Sequence, residues 1–135
     1  MNFQMIPMRV LGDDRGSLVA VEAEKDVPFA IARVYYIFGT REGVERGFHA
    51  HKILQQLAVA VRGSCTMLLD DGKEKVEIKL DAPDKGMYIG PGIWREMKDF
   101  TEDCVLLVFA DQHYDEADYL RKYEDFLAFL QTAKQ

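Results

Sequence analysis

The sequence lacks the features of several broad protein classes. It has only two cysteines, Cys65 and Cys104, which lie in apolar, strand-like segments and do not form a C-x-x-C motif. We therefore expect both to be buried thiols rather than a disulfide framework. No apolar run reaches the ~18 residues that a membrane span requires. The first residues also lack the basic start and apolar stretch of a secretory signal. These absences predict a soluble, cytoplasmic protein.

Positive charge is scarce as well. Seventeen Lys and Arg residues against 23 Asp and Glu residues give a net charge of −6, which disfavours a general surface for nucleic acids or anionic membranes. A few arginines in a pocket could still bind a phosphorylated small molecule. No dinucleotide or flavin fingerprint is present, so we expect no redox cofactor. The length and composition predict one globular domain over residues 1–135.

Short strand-like segments alternate with turn signals along most of the chain, which is typical of all-β domains. The predicted strands are Ser17 to Glu22, Ile31 to Phe38, Gly47 to His51, Leu54 to Arg62, Ser64 to Asp70, Lys75 to Leu80, Gly86 to Ile89 and Cys104 to Ala110. Asp71-Gly72 separates two of them and predicts a tight hairpin. This pattern favours a small barrel or a double-sheet jelly roll.

The C-terminal segment has a different periodicity. Leu120, Tyr123, Leu127 and Leu130 follow at spacings of 3, 4 and 3 residues, and Asp115 or Glu116 stands near the start. This spacing predicts an amphipathic helix that packs on the β-domain or on a partner subunit.

Two of the three histidines lie one residue apart, in the segment Arg46-Gly47-Phe48-His49-Ala50-His51. Side chains at i and i+2 of a strand share one face. Two imidazoles in one space indicate either a metal site or proton-transfer chemistry, because both groups titrate near neutral pH.

The spacing around these histidines resembles the motif of cupin jelly rolls, which consists of a glycine, His-x-His, a glutamate and a second glycine. The positions that fit are Gly43, His49, His51 and Gly63. The glutamate ligand is replaced by Gln56, and Arg95 stands where a further histidine ligand would follow Pro91-Gly92. A guanidinium group has no lone pair to offer a cation and stays positively charged, so we expect no bound metal.

Two alternatives to a metal site remain for these residues. The histidines could be inert interior groups with hydrogen-bond partners, or they could line a polar, ligand-sized cavity. Unpaired polar groups in an apolar core cost several kcal/mol. Two inward histidines beside an inward arginine therefore favour the cavity.

Arg46-Gly47-Phe48-His49 resembles the Arg-Gly-x-His segment of metal-free deoxysugar-nucleotide 3,5-epimerases. A longer set of segments resembles the sugar 3,4-ketoisomerase family of the cupin superfamily, in order and over nearly the whole chain. These are Asp14 to Leu18, Arg33 to Phe38, Arg46 to Lys52, Gly63 to Cys65, Leu69 to Gly72, Gly90-Pro91 with Trp94, and Tyr114 to Glu116 with Asp118-Tyr119.

The ketoisomerase resemblance implies a cupin-type jelly-roll β-barrel with a C-terminal α-helix. It also implies conversion of dTDP-4-keto-6-deoxyglucose into its 3-keto isomer, without a cofactor. The downstream partner would be a PLP aminotransferase that makes a 3-amino sugar, for glycans such as a lipopolysaccharide O-antigen or an S-layer. Ketone migration needs a base, an acid and stabilisation of an oxyanion. The resemblance further implies a homodimer, with N-terminal strands that could be exchanged.

The same resemblance assigns roles to individual residues. His49 is the expected base at carbon, His51 is a second acid/base, and Tyr35 is a donor to a sugar oxygen or to C4. Arg46 is expected to pair with the diphosphate. The remaining residues expected to contact the substrate are Arg15, Arg95 and Gln56. Their identities leave the C4 configuration of the product open.

Three other functions are alternatives for the same residues, and the weakest of them is a metal-dependent, dioxygenase-like cupin. A 3,5-epimerase would use a similar base on the same 4-keto sugar without moving the ketone. A binding module would capture a nucleotide sugar without turning it over.

Overall fold

A computed structural model of the chain describes residues 1–133, which form twelve strands and one α-helix. The strands are Phe3–Pro7 (β1), Val10–Asp13 (β2), Gly16–Val19 (β3), Arg33–Ile37 (β4), Arg46–His51 (β5), Gln56–Arg62 (β6), Cys65–Asp70 (β7), Lys75–Leu80 (β8), Lys85–Ile89 (β9), Trp94–Lys98 (β10), Val105–Ala110 (β11) and Tyr119–Leu120 (β12). The helix is Tyr123–Ala133 (α1), and a 3-10 turn spans Glu116–Asp118.

Ten strands form two five-stranded sheets, in the orders β1-β9-β6-β11-β4 and β12-β5-β10-β7-β8. Their pairings are antiparallel throughout. This double-sheet arrangement confirms the predicted cupin-type jelly roll with a C-terminal helix. The remaining strands, β2 and β3, pair only with each other, and their apolar residues Val10, Leu11 and Leu18 are exposed.

The main core lies between the two sheets and is built from alternate residues of each strand. In β6, Ala58 and Ala60 point into this core, whereas Leu57 and Val59 join a second cluster on the outer face with Met8, Val27 and Phe29. Both faces of β6 are therefore covered, which explains its unbroken apolar sequence. Cys65 and Cys104 are buried thiols in the main core, as predicted, and burial raises the pKa of Cys65 to about 12.

Eight of the strands correspond to predicted segments, with ends that shift by up to three residues. The Asp71-Gly72 turn is confirmed, because β7 and β8 pair from Cys65↔Leu80 to Asp70↔Lys75. The Asp71 side chain closes this turn by accepting hydrogen bonds from the backbone N–H groups of Lys73 and Glu74. The sequence analysis missed β1, β2, β10 and β12, which are short or interrupted by Gly, Pro or charged residues.

The helix prediction was right in kind but wrong in its start and in part of its buried face. Asp115 caps the 3-10 turn instead, by accepting from the N–H of Ala117, and Leu120 belongs to β12. The helix packs through Phe126, Phe129 and Leu130 on the outer face of the second sheet, on a cluster that includes Ala50 and Trp94. Leu127 is 38% exposed. Within residues 1–133, no helix is long and apolar enough to cross a membrane.

Candidate active site

A cleft of about 580 Å³ opens between the two sheets at one end of the sandwich. Its polar lining comes from β4 and β5, which belong to different sheets, and from the segment that leads into α1. The polar residues that line it include Arg33, Tyr35, Arg46, His49, Tyr119 and Arg121. Three of these, Tyr35, Arg46 and His49, were predicted from the sequence as site residues.

The two histidines lie on the same face of β5, as their spacing predicts. The ring centroids of His49 and His51 are 4.9 Å apart, and the rings meet edge to face. His49 borders the cleft, whereas His51 lies deeper and is only 1% exposed. Tyr119, which pairs with His51 across β5 and β12, packs against both rings at 5.0 and 4.4 Å. The imidazoles therefore form an edge-to-face pair in which His49 is the accessible member.

A bulge in β5 sets the direction of His49. The register between β5 and β10 shifts so that Arg95 pairs with His49 but Glu96 pairs with Gly47, which leaves Phe48 as the extra residue. Gly47 and Phe48 both have positive φ angles, 90° and 58°. A Cβ atom at Gly47 would lie 2.9 Å from the Arg95 carbonyl oxygen, so only glycine fits there. For Phe48 this conformation is strained, which is characteristic of functional sites.

Both imidazoles are neutral at physiological pH. Burial, together with the nearby Arg95 guanidinium, lowers the pKa of His49 to about 4 and that of His51 to about 2. A neutral imidazole keeps one ring nitrogen as a proton acceptor. Each ring therefore has an unprotonated nitrogen at neutral pH, and the lowered pKa makes it a weaker base than a free imidazole.

His51 contacts a carboxylate at its inner side. Its Nδ1 atom lies 3.3 Å from Asp118 Oδ2, although the angle is too poor for a regular hydrogen bond. Because His51 is neutral, we interpret this contact as an imidazole facing a carboxylate rather than as an ion pair. Asp118 is fixed by the backbone N–H groups of Lys52, Ile53 and Leu54, at 3.1, 2.8 and 3.3 Å. A carboxylate at Nδ1 favours the tautomer that carries its proton there.

Arg95 and Gln56 lie behind the cleft rather than in its lining. Arg95 is 2% exposed and donates to Gln56 Oε1 and, at 3.1 Å, to the carbonyl oxygen of Ile93. Gln56 is 5% exposed, and its Nε2 atom donates to the Tyr35 hydroxyl at 3.0 Å. Burial lowers the pKa of Arg95 to about 10, which still leaves it charged at neutral pH. Both ends of the Gln56 amide are therefore occupied by protein groups.

The donor set does not fit a divalent cation. Within residues 1–133, no group of three or more His, Cys, Asp or Glu side chains is placed to hold a metal ion. The Gln56 oxygen that would replace the cupin glutamate already accepts from a guanidinium group. A positive charge beside two imidazoles opposes a second cation.

Arg15 lies away from the cleft within the single chain. It sits in the turn between β2 and β3, where its side chain is 87% exposed and pairs with Asp13 at 2.6 Å. The same chain therefore does not bring Arg15 to His49. Its expected contact with the substrate requires a neighbouring subunit or a movement of this hairpin.

Four residues near the site were not singled out for a role in the sequence analysis: Arg33, Asp118, Tyr119 and Arg121. Arg33 lies two residues before Tyr35 in β4, so alternation on the strand was a signal that could have placed it in the site. Its guanidinium carbon is 5.4 Å from the Tyr35 ring centroid. Arg121 lies 4.2 Å over the Tyr119 ring. The position of both residues at the cleft depends on the pairing of β12 with β5, which no local pattern signals.

Comparison with known proteins places this geometry in a family. The family described as "FdtA: WxcM-like, C-terminal" matches residues 1–131. The chain is 50% identical over 130 residues, 96% of this chain and 94% of the other, to a TDP-4-oxo-6-deoxy-alpha-D-glucose-3,4-oxoisomerase from Aneurinibacillus thermoaerophilus.

Two solved structures extend the comparison. The TDP-quinovose 3,4-ketoisomerase WlaRB from Campylobacter jejuni is 49% identical, with a TM-score of 0.91 over 94% of this chain and 98% of that one. An Asn-for-His mutant of the 3,4-ketoisomerase QdtA from Thermoanaerobacterium thermosaccharolyticum, in complex with TDP-4-keto-6-deoxyglucose, is 41% identical. Its TM-score is 0.94 over 97% of this chain and 95% of that one. These matches confirm the resemblance seen in the sequence: the chain belongs to the FdtA/WxcM-like family, together with the sugar-nucleotide 3,4-ketoisomerases.

Proposed function

We propose that this protein is a 3,4-ketoisomerase that converts dTDP-4-keto-6-deoxyglucose into a dTDP-3-keto-6-deoxyhexose. The observation that carries the proposal is the neutral imidazole of His49, which borders the same cleft as Tyr35 and has the buried imidazole of His51 against it. A base on one wall and a phenol on the other supply the proton acceptor and donor that ketone migration needs. We take residues 1–135 to be one ketoisomerase domain.

His49 removes the proton from C3, because it is the histidine that borders the cleft. The electron pair of the C3–H bond forms the C3–C4 double bond, and the C4 carbonyl oxygen becomes the oxyanion of an enediolate. The buried positive charge of Arg95 stabilises that oxyanion. His51 then moves the proton of the C3 hydroxyl to the C4 oxyanion, while C4 gains a proton from Tyr35 and the ketone stands at C3. The proton that His49 took from C3 returns to the Tyr35 phenolate through solvent, which restores all three side chains.

The diphosphate binds at the arginine-rich side of the cleft. Arg46 pairs with it, and Arg33 and Arg121 border the same opening. The cleft is lined by these three guanidinium groups and by one carboxylate, Glu45, and Arg121 is paired with Glu116. An excess of positive charge remains in the lining even though the chain carries −6 overall. Guanidinium groups suit phosphate oxygens because they donate two parallel hydrogen bonds.

We further propose a homodimer in which the β2–β3 hairpin of each subunit reaches the other subunit. The hairpin pairs with no other described strand, and it exposes Val10, Leu11 and Leu18 at 47%, 45% and 56%. Exposed apolar residues on an isolated hairpin favour burial against a partner. Such an exchange would carry Arg15 to a neighbouring cleft. Light scattering should give twice the chain mass, and Leu18→Lys should shift it toward the monomer.

The reaction is proposed to take place in the cytoplasm, where the buried thiols of Cys65 and Cys104 remain reduced. A ketone at C3 is the group that a PLP-dependent aminotransferase needs to install an amine there. We therefore propose such an aminotransferase as the next enzyme. The pathway would supply 3-amino-3,6-dideoxy sugars to surface glycans.

A proton NMR time course in D2O tests the function directly. Ketoisomerisation should place deuterium at C4 of a 3-keto product. A 3,5-epimerase would instead label C3 and C5 and leave the ketone at C4, and a binding module would leave the spectrum unchanged. Either of the last two results would contradict the proposal.

A further inference from the structure

Three polar side chains from three strands are connected by hydrogen bonds that lead from the interior to the cleft. Arg95 of β10 donates to Gln56 Oε1, and Gln56 Nε2 of β6 donates to the Tyr35 hydroxyl of β4 at 3.0 Å. Arg95 and Gln56 are almost fully buried, at 2% and 5% exposure. Tyr35 is the only member of the three that also borders the cleft. These hydrogen bonds therefore connect the buried guanidinium group of Arg95 to the Tyr35 hydroxyl at the cleft.

The chemistry of these groups fixes the direction of every hydrogen bond between them. A guanidinium group has only donors, so the Gln56 oxygen must face Arg95. The amide nitrogen of Gln56 must then face Tyr35, and this nitrogen can only donate. The Tyr35 oxygen is consequently an acceptor in this bond. Since a phenol carries a single hydrogen, that hydrogen is free to point toward the cleft.

From this geometry we propose that Gln56 is a positioning residue, which directs the Tyr35 hydroxyl hydrogen into the cleft. The inference rests on the proposed function, in which Tyr35 donates the proton at C4. Gln56 does not contact the sugar in this scheme. It acts through Tyr35, and Arg95 fixes the orientation of its amide.

The scheme explains why an amide serves at this position and a carboxylate does not. A glutamate would accept hydrogen bonds with both oxygens. It would accept one from Arg95 and a second from the Tyr35 hydroxyl, and the phenolic hydrogen would then point inward. Gln56→Glu therefore reverses one hydrogen bond while it keeps the size of the side chain.

The kinetic test is a double-mutant cycle between Gln56→Glu and Tyr35→Phe. Gln56→Glu should lower kcat by about tenfold to hundredfold and change KM by less than about twofold, because a proton donor is misdirected while binding is kept. In the Tyr35→Phe background, Gln56→Glu should cause no further loss beyond about twofold. Gln4→Glu, which adds the same charge on the exposed side of β1, is the matched control and should behave as wild type.

Two kinetic outcomes would overturn the proposal. One is an equal loss of kcat from Gln56→Glu with and without the Tyr35 hydroxyl, which would show that Gln56 acts on stability or on another group. The other is a Gln56→Glu enzyme with wild-type kcat. Denaturant unfolding of each variant identifies a loss that comes from misfolding, and only folded protein is compared.

A second measurement does not depend on turnover. In Gln56→Glu, the Tyr35 hydroxyl hydrogen is bonded to a buried carboxylate and should give a slowly exchanging, downfield proton NMR signal that disappears in the double variant. Wild type should lack this signal, and its presence there would overturn the proposal. If wild type makes no 3-keto sugar, the proposed ketoisomerase function is wrong. The NMR signal still tests the direction of the hydrogen bond between position 56 and Tyr35, because it does not depend on turnover.

Discussion

The two ends of the space between the sheets differ in polarity and in exposure. At the closed end, inward residues such as Cys65, Leu80 and Met87 are buried and apolar. At the open end, β6 contributes Gln56, which precedes the core residues Ala58 and Ala60 on the same strand. One strand thus serves the core with some of its inward positions and the cleft with others.

Polar groups at the open end are incompletely satisfied. Among residues 1–133, all buried side-chain nitrogen and oxygen atoms without a partner belong to Arg33, His49, His51 and Arg95. Such atoms cost free energy of folding unless a ligand or water pairs with them. The apolar end stabilises the fold enough to tolerate this cost. The comparison therefore indicates that the residues that stabilise the fold and the residues that react lie at different ends of the sandwich. Variants at each end test this separation.

The largest effect is expected at the open end, from His49→Asn. The variant should lower kcat by about 10²–10⁴, because the base that removes the C3 proton is lost. Nucleotide affinity and the free energy of unfolding should stay close to wild type, since the side chain borders the cleft. The NMR time course measures the rate, and calorimetry with dTDP measures binding. Wild-type turnover would contradict the role of His49.

The opposite pattern is expected at the closed end, from Leu80→Ala. Leu80 is fully buried between the sheets, where it pairs with Cys65, so its truncation should lower the free energy of unfolding by about 2–5 kcal/mol. Activity per folded molecule should change little. Urea unfolding gives the stability, and Leu127→Ala, at an exposed helix position, is the control. A loss of kcat in folded Leu80→Ala would mean that the two ends are coupled.

A smaller effect should appear as a dependence of stability on pH. The folded pKa values of His49 and His51 are about 4 and about 2, below the ~6.5 of an unfolded histidine. Between pH 7 and 5 the unfolded chain therefore binds more protons than the folded one, and the free energy of unfolding falls as the pH falls. Replacing both histidines by Asn should flatten this dependence. Replacing the exposed His113 by Asn should leave the slope larger than in the double variant.

The smallest effect concerns the bulge beside His49. Phe48→Gly should change the free energy of unfolding by less than about 1 kcal/mol, because relief of the left-handed strain offsets the loss of a ring that is 40% exposed. Phe48→Val, with a β-branched side chain at φ 58°, should destabilise by about 1–2 kcal/mol and lower kcat by moving His49. Unfolding and turnover of the matched pair give the comparison. Equal kcat values for Phe48→Gly and Phe48→Val would show that the geometry of the bulge does not affect turnover.

Much of the fold could be predicted from local patterns. The hairpin at Asp71-Gly72 and the His-x-His face of β5 follow from turn chemistry and from alternation along a strand, which are properties of neighbouring residues. The start of α1 could not be predicted in this way. Asp115 caps a 3-10 turn, and β12 then pairs with β5 before the helix begins, so a tertiary contact overrides the helical spacing of Leu120.

The site was predictable to the extent that its residues share a motif. His49, Tyr35 and Arg46 meet in one cleft, but the interior position of Gln56 depends on how two sheets face each other. Arg15 shows a different limit, because a residue at the tip of an isolated hairpin can be placed only when its neighbours in the assembly are known. The roles of these residues remain predictions for the experiments above.

Helix α1 packs on the outer face of the sheet whose inner face carries the reactive residues, so its position affects the site without direct contact. Phe126 packs against Ala50 and Trp94, and these two residues alternate along their strands with His49, His51 and Arg95. A shift of the helix would therefore move the backbone of β5 and β10, which carry His49, His51 and Arg95 on their inner faces. We therefore expect substitutions at Phe126, Phe129 or Leu130 to change turnover even when every residue that borders the cleft is kept.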